Sequence, residues 1–330
     1  MTIGIQLIIL ELLKLNSFNL KVLVYFLKLV RWPNLLFIVL AELLFHFCIY
    51  KPLFPQVGDA ADGAFFIILL TYIFIAAAGY IINDYFDVNI DQVNKPGKVV
   101  VGEHISRRWV IFWHMIFSLL GIYLSTIAFS FKEYWHIHLA NLATILFLWF
   151  YSTNFKKDFL VGNIVIAVLT AWSIAVVYFS KFTIAELMHP AIHSTAHLRF
   201  FKLMLLYAAF AFILTLVREA LKDMEDIEGD EKFGCKTLPI VWGLMPTKVY
   251  VAVWLMVVVV ILAIIQLYVL PFGWWPSVLY CLIFILAPLI WVLIKLPKSF
   301  TSKDFTGLSF WIKVAMLAGI ISMSFFYFLF

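Results

Sequence analysis

The sequence predicts an all-α polytopic membrane protein with about nine transmembrane helices, and three observations carry the prediction. Of 330 residues, 65% are hydrophobic and 13% charged, against about 25% charged in soluble domains. Mean hydropathy is +1.02. The apolar residues fall in continuous runs, without the alternation of barrel strands and with short connections between them. One helical domain embedded in the bilayer follows, in place of two soluble domains or a barrel. Its expected surroundings are membrane lipids, with no nucleic-acid partner.

Residues 1–30 are apolar but interrupted by Glu11, Lys14, Asn16, Lys21 and Lys28, and lack a basic start and a small-residue cleavage site. They read as an N-terminal interfacial helix and not as a signal peptide. Residues 31–330 form the single transmembrane domain. Its first span runs from about Pro33 to Tyr50, entered through Arg31-Trp32-Pro33-Asn34; further spans fall near 64–84, 108–130, 135–154, 159–180, 200–221, 248–270, 274–295 and 308–329. The longest connections, about 85–107 and 222–247, are expected to cap the domain, since long connections in compact proteins tend to be functional. Between 181 and 199, His189, His193 and His197 are spaced by four, but Pro190 interrupts them and a solvated loop is the better reading than a zinc site. Cys48, Cys235 and Cys281 offer neither a disulfide framework nor metal spacing.

Orientation follows from the cations. With a cytoplasmic N-terminus, eighteen Lys and Arg residues fall inside and five outside, Lys313 lying within the last span. Spans two and six then run in the same direction and both end on the cytoplasmic side.

Those two ends hold the sequence's main anomaly. Asn83-Asp84-Tyr85-Phe86-Asp87-Val88-Asn89-Ile90-Asp91 follows one apolar run, and Asp223, Asp226 and Asp230 repeat the D-x-x-D-x-x-x-D interval after another; ten of the 19 acids lie in these two windows. Positions i, i+3 and i+7 fall within about 60° around a helix, so each triplet would present three carboxylates on one face. Like charges so packed need a cation. A divalent cation holding a phosphate-bearing substrate suits them, because Mg²⁺ prefers a few carboxylates plus phosphate oxygens. Neither segment matches a calcium loop. Lys98, Arg107, Arg108, Lys156, Lys157, Lys222 and Lys236 lie nearby. Singly they read as positive-inside anchors; as a set they suit a diphosphate. A transporter or metal-binding membrane protein is the alternative of another class. It would place ionisable groups at mid-membrane depth, where Glu42 alone among the acids is found.

Asn83-Asp84-x-x-Asp87-x-x-x-Asp91-x-x-Asn94-x-Pro96 resembles the first signature of the UbiA superfamily of intramembrane prenyltransferases, and Asp223-x-x-Asp226-x-x-x-Asp230 resembles its second. Arg31-x-Pro33-Asn34 is similar to the family's entry to its first span, Tyr151-Ser152 with Lys156 to the end of its fourth, and Gly162-Asn163 to the start of its fifth. The resemblance implies nine helices around a central cavity open to lipid, and transfer of a prenyl chain from a polyprenyl diphosphate to a lipophilic acceptor with Mg²⁺. It implies that Asn83, Asp84, Asp87, Asp91, Asp223, Asp226 and Asp230 hold the metals, the six aspartates as ligands. Lys98 and Lys156 would contact the diphosphate, and Tyr151 and Ser152 would lie near the allylic carbon, with Asn34 among the substrate contacts. The chain departs from the family where Arg-Pro commonly follows: here Lys98-Val99 stands. A prokaryotic plasma (inner) membrane, with the site on its cytoplasmic side, is the expected location. An ionised allylic diphosphate would be quenched by water, and a lumen walled by some of the 34 Phe, 14 Tyr and 12 Trp residues would exclude it.

The second signature continues as Lys222-Asp223-Met224-Glu225-Asp226-Ile227-Glu228-Gly229-Asp230 and later Thr237-Leu238-Pro239. This string is similar to the family branch that adds a geranylgeranyl chain to geranylgeranylglyceryl phosphate, which makes that lipid the favoured acceptor. An aromatic acceptor of quinone biosynthesis is the alternative, because homogentisate prenyltransferases carry a comparable string. An anionic glycerol phosphate would need further cations, and Arg31, Arg218 and Lys222 are candidates.

Overall fold

Nine long helices follow one another in the computed structural model, which describes residues 21–58, 60–97, 99–188 and 194–329. They are α1 (Trp32–Leu53), α2 (Ala60–Asn94), α3 (Arg107–Ala128), α4 (Trp135–Thr153), α5 (Val161–Phe179), α6 (Thr195–Glu225), α7 (Leu244–Val269), α8 (Trp275–Lys298) and α9 (Ser302–Phe328). Among the described residues, eight are both long and apolar enough to cross a bilayer. The ninth, α4, has 19 residues but carries His136, His138, Asn141 and Thr144, which dilute its hydropathy. A helix over residues 21–29 precedes α1, while residues 1–20 of the expected interfacial helix lie outside the described residues.

Two helices overshoot the membrane. With 35 residues α2 is about 52 Å long, and α6, with 31, about 46 Å, at 1.5 Å per residue. A hydrocarbon core of about 30 Å needs only about 20 residues, so the last turns of both project beyond it, and those turns carry the aspartates. The sequence places a connection from about 85, but α2 stays helical to Asn94. Its first stop signal is Lys95-Pro96-Gly97, with Gly97 at φ +80°. On α6 the helix runs to Glu225 and breaks at Asp226 (φ −102°, ψ 11°) before a short helix Ile227–Lys232. The second triplet therefore does not share one helical face, because its middle residue is the hinge.

The short helix Ile227–Lys232 packs on α2 and so joins these two ends. α2 lies against α3 and α4, while α6 is flanked by α5, α7 and α9. Close crossings use small residues, as is common between membrane helices: a Cβ on Gly79 would sit 2.8 Å from Leu148, and one on Gly121 2.7 Å from Ile75. Large apolar side chains such as Leu119, Tyr123 and Leu267 are 60–70% exposed on the outer faces, where lipid covers them. Arg31 turns the chain between the first short helix and α1 in the left-handed region (φ 51°), a conformation costing roughly 1–2 kcal/mol for a residue with a Cβ. The turn delivers its guanidinium to Asp84 on α2.

Candidate active site

The aspartates of α2 and of the α6 end meet across one chamber of about 570 Å³. It is lined by Asn83, Asp84, Asp87 and Asp91 from one side and Asp223, Asp226 and Asp230 from the other, with Tyr151, Lys156 and Lys222 between them. All ten are residues to which the sequence assigns a place in the site.

Three cations hold the acids apart. Arg31 Nη2 lies 2.5 Å from Asp84 Oδ1, Lys156 Nζ donates to Asp87 Oδ2, and Lys95 Nζ donates to Asp226 Oδ2 at 2.7 Å. Asn83 Nδ2 donates to Asp87 at 2.6 Å and Asn163 Nδ2 to Asp223 at 2.8 Å. Burial alone would lower the Lys156 ammonium pKa, but the Asp87 carboxylate outweighs it and holds the group well above the ordinary lysine value. Lys95 is raised in the same way by Asp226, against its own burial. Asp91 and Asp230 carry no ion pair with any described residue. Burial pushes the Asp230 carboxyl up to about 6, with Lys156 pulling the other way and Asp226 and Asp87 adding to the rise.

The break at Asp226 has a structural partner. Gly229 N donates to Asn94 Oδ1 at 2.7 Å, joining the tip of α6 to the end of α2, and a Cβ on Gly229 would lie 2.4 Å from that oxygen. A second clasp runs from Lys236 N to Lys157 O at 2.7 Å. Asn94 and Asn163 were legible as motif members; their roles as clasp and as partner of Asp223 were not. Lys95 and Glu219, to which the sequence assigns no place in the site, also face the chamber.

These groups fit a hard divalent cation. Among the described residues, Asp91 and Asp230 have no ion-pair partner and Asn83 Oδ1 is buried without a hydrogen-bond donor. Among the described residues no three acid, His or Cys ligands converge into an all-protein cage, and Mg²⁺ usually keeps waters and phosphate oxygens in its shell.

Inward, the chamber shares Arg31, Asn83, Tyr151, Glu219 and Lys222 with a second cavity of about 200 Å³, which also holds the predicted Asn34 and Arg218. A third of about 200 Å³ shares Phe37, Ile38, Thr170, Ser173 and Met316 with the second and reaches Trp274 and Phe325. A charged head and an apolar tail thus have adjoining compartments. Two assignments end differently. Ser152 is buried and donates to Leu148 O at 2.8 Å, a bond within its own helix, so it lines neither the chamber nor the second cavity. Lys98 lies outside the described residues, as do His189 and His193; His197 is buried against Tyr178, its Nε2 2.8 Å from the phenol oxygen.

The family model described as the UbiA prenyltransferase family matches residues 32–327. Digeranylgeranylglyceryl phosphate synthase of Sulfolobus acidocaldarius is 34% identical over 185 residues, 54% of this chain and 58% of that relative. The chain thus spans little over half of that relative's length. The synthase of Methanosphaera stadtmanae is 30% identical over 260 residues, 76% of this chain and 84% of the relative. A solved structure described as a digeranylgeranylglyceryl phosphate synthase in membranes superposes with a TM-score of 0.57 at 21% identity, covering 92% of this chain and 99% of its own. A UbiA homolog from Archaeoglobus fulgidus bound to DMAPP and Mg²⁺ gives 0.53 at 17% identity, covering 91% and 99%. At these identities the solved structures establish a shared fold.

Proposed function

The chain belongs to the UbiA prenyltransferase family, and from that premise we propose that it transfers a geranylgeranyl group from a polyprenyl diphosphate to geranylgeranylglyceryl phosphate, with Mg²⁺. The observation that carries the reading is the junction itself. Six aspartates converge with Lys95, Lys156 and Lys222 at the ends of two long helices, beside a lumen fit for a prenyl tail. The acceptor is supported by the names of the relatives, and the metal by the unpaired Asp91 and Asp230 together with the Mg²⁺-bound homolog. The Lys and Arg bias supports a chamber on the cytoplasmic side of a plasma (inner) membrane.

The residues divide the work. Lys156 and Lys95 exchange their aspartate partners for diphosphate oxygens, and the freed carboxylates of Asp87 and Asp226 join Asp91 and Asp230 in holding the cation. A Mg²⁺ ion held by these carboxylates would neutralise the charge that grows on the diphosphate as the allylic C–O bond breaks and the diphosphate leaves. The prenyl chain lies in the lumen, where Phe37, Leu148 and Tyr80 exclude water from the developing allylic cation. Tyr151 lines both compartments and positions the allylic carbon against the incoming acceptor hydroxyl. That oxygen forms the new ether bond and its proton leaves into the chamber.

The deciding assay supplies purified protein with radiolabelled geranylgeranyl diphosphate, Mg²⁺ and either geranylgeranylglyceryl phosphate or a hydroxybenzoate. Label is expected in the glycerol phosphate lipid; label confined to the aromatic compound would replace the acceptor with one of quinone biosynthesis.

A further inference from the structure

Where the chamber narrows into the lumen, the lining changes sign. Arg218, Lys222 and Lys313 face this neck together with one carboxylate, Glu219. Glu219 is already engaged, by Arg218 Nη1 at 2.8 Å and by Lys222 Nζ at 2.9 and 3.2 Å. Lys313 projects from within α9, and among the described residues it donates a hydrogen bond to Asn34 Oδ1 alone, at 3.4 Å. Arg218 Nε is buried without a hydrogen-bond partner, and Arg31, also at the neck, is committed to Asp84. Three cations against one carboxylate leave two positive charges uncompensated beside the apolar walls of Phe37, Leu148 and Met316. An ionisable side chain within a membrane span is costly, and one beside charges of its own sign more so. Lys313 makes no ion pair among the described residues.

We propose that Arg218, Lys222 and Lys313 form a seat for the phosphate monoester head of the acceptor lipid at the inner edge of the aspartate chamber, with Lys313 as its specificity-determining residue. The proposal rests on the prenyl-transfer reading and adds where the acceptor is recognised. A phosphate monoester carries a charge of about −1.5 to −2 near neutral pH, which matches the two uncompensated charges; a carboxylate would leave one unmatched. A head held at the neck lays its own chain into the lumen and sets its glycerol hydroxyl beside Tyr151, at the border of the chamber.

The test uses the full-length protein in detergent, first without donor or Mg²⁺, titrated with geranylgeranylglyceryl phosphate and separately with its dephosphorylated form, geranylgeranylglycerol. The wild type should bind the phosphorylated lipid about tenfold tighter or more, the worth of one charge-assisted hydrogen bond. Lys313→Gln should lose most of that preference and leave binding of the dephosphorylated lipid unchanged, while Lys313→Arg retains it. In turnover, Lys313→Gln should raise KM for the acceptor about tenfold, with KM for the donor unchanged. A wild type that does not distinguish the two lipids overturns the seat, and this comparison needs no variant to fold. Equal rises in both KM values overturn it too. Tight, phosphate-dependent binding without transfer to any acceptor would instead uphold the seat and sink the reaction assigned to the chamber.

Discussion

The ends of α2 and α6 carry one acid interval in two different local structures. Asp84, Asp87 and Asp91 stay on an unbroken helix, and two of the three are clamped by Arg31 and Lys156. Asp223 lies in the last turn of α6, Asp226, paired with Lys95, is its hinge, and Asp230 belongs to the next short helix, buried and without a cationic partner among the described residues. One end is a rigid comb with two of its three carboxylates neutralised. The other is a bent finger held in place by the Asn94–Gly229 clasp, and its buried carboxylate stays unneutralised until a cation arrives. Spacing names the chemistry at both ends, but backbone geometry decides which aspartates are poised and which are paired.

The largest expected effect breaks the rigid side. Asp87→Asn should lower prenyl transfer by about 10²–10³-fold or more and leave the Lys156 ammonium without its partner, costing about 1–3 kcal/mol of stability. Asp226→Asn on the bent side should match the loss of rate. Radiolabel transfer and thermal unfolding of both variants check this, and near-wild-type turnover in either would remove that aspartate from the reaction.

A smaller effect tests the clasp. Gly229→Ala forces a methyl group against Asn94, at a cost of about 1–3 kcal/mol, and should displace Asp230 enough to cost roughly 10²-fold in turnover. Asn94→Ala removes the acceptor without adding bulk. If it loses as much rate as Gly229→Ala, the hydrogen bond matters more than the space.

The mildest effect is a pH dependence. Burial raises the folded Asp230 carboxyl from its ordinary 3.8 to about 6, so between those values the folded chain holds a proton that the unfolded chain has lost. Stability without metal should therefore fall as pH rises through that window. Mg²⁺ with inorganic diphosphate should raise the unfolding temperature more at pH 7 than at pH 5. A shift independent of pH would show that the cation does not sit against Asp230.

Much of this was legible because hydropathy and charge are local properties. Nine spans, the cation bias and the paired aspartates need no partner to be read. The helical length of α2 was also available, since nothing before Pro96-Gly97 stops a helix that an apolar run has started. Motif adjacency to Tyr151 does not say which way the Ser152 hydroxyl turns; in this helix it satisfies itself on the carbonyl four residues back. The break at Asp226 was hidden by an interval that looks helical.

By itself, then, the sequence determined that this is a membrane-embedded α-helical chain with two acid-tipped helices ending on one side, because bilayer thickness and the cost of bare charge act on each segment alone. Only the tertiary structure decided that Arg31, Lys95 and Lys156 pair with Asp84, Asp226 and Asp87, leaving Asp91 and Asp230 open, and that Lys313 from the last helix joins Arg218 and Lys222 at the neck. Those partners lie 53 to 131 residues apart in the chain, and which charges meet over such distances is fixed by helix packing rather than by spacing.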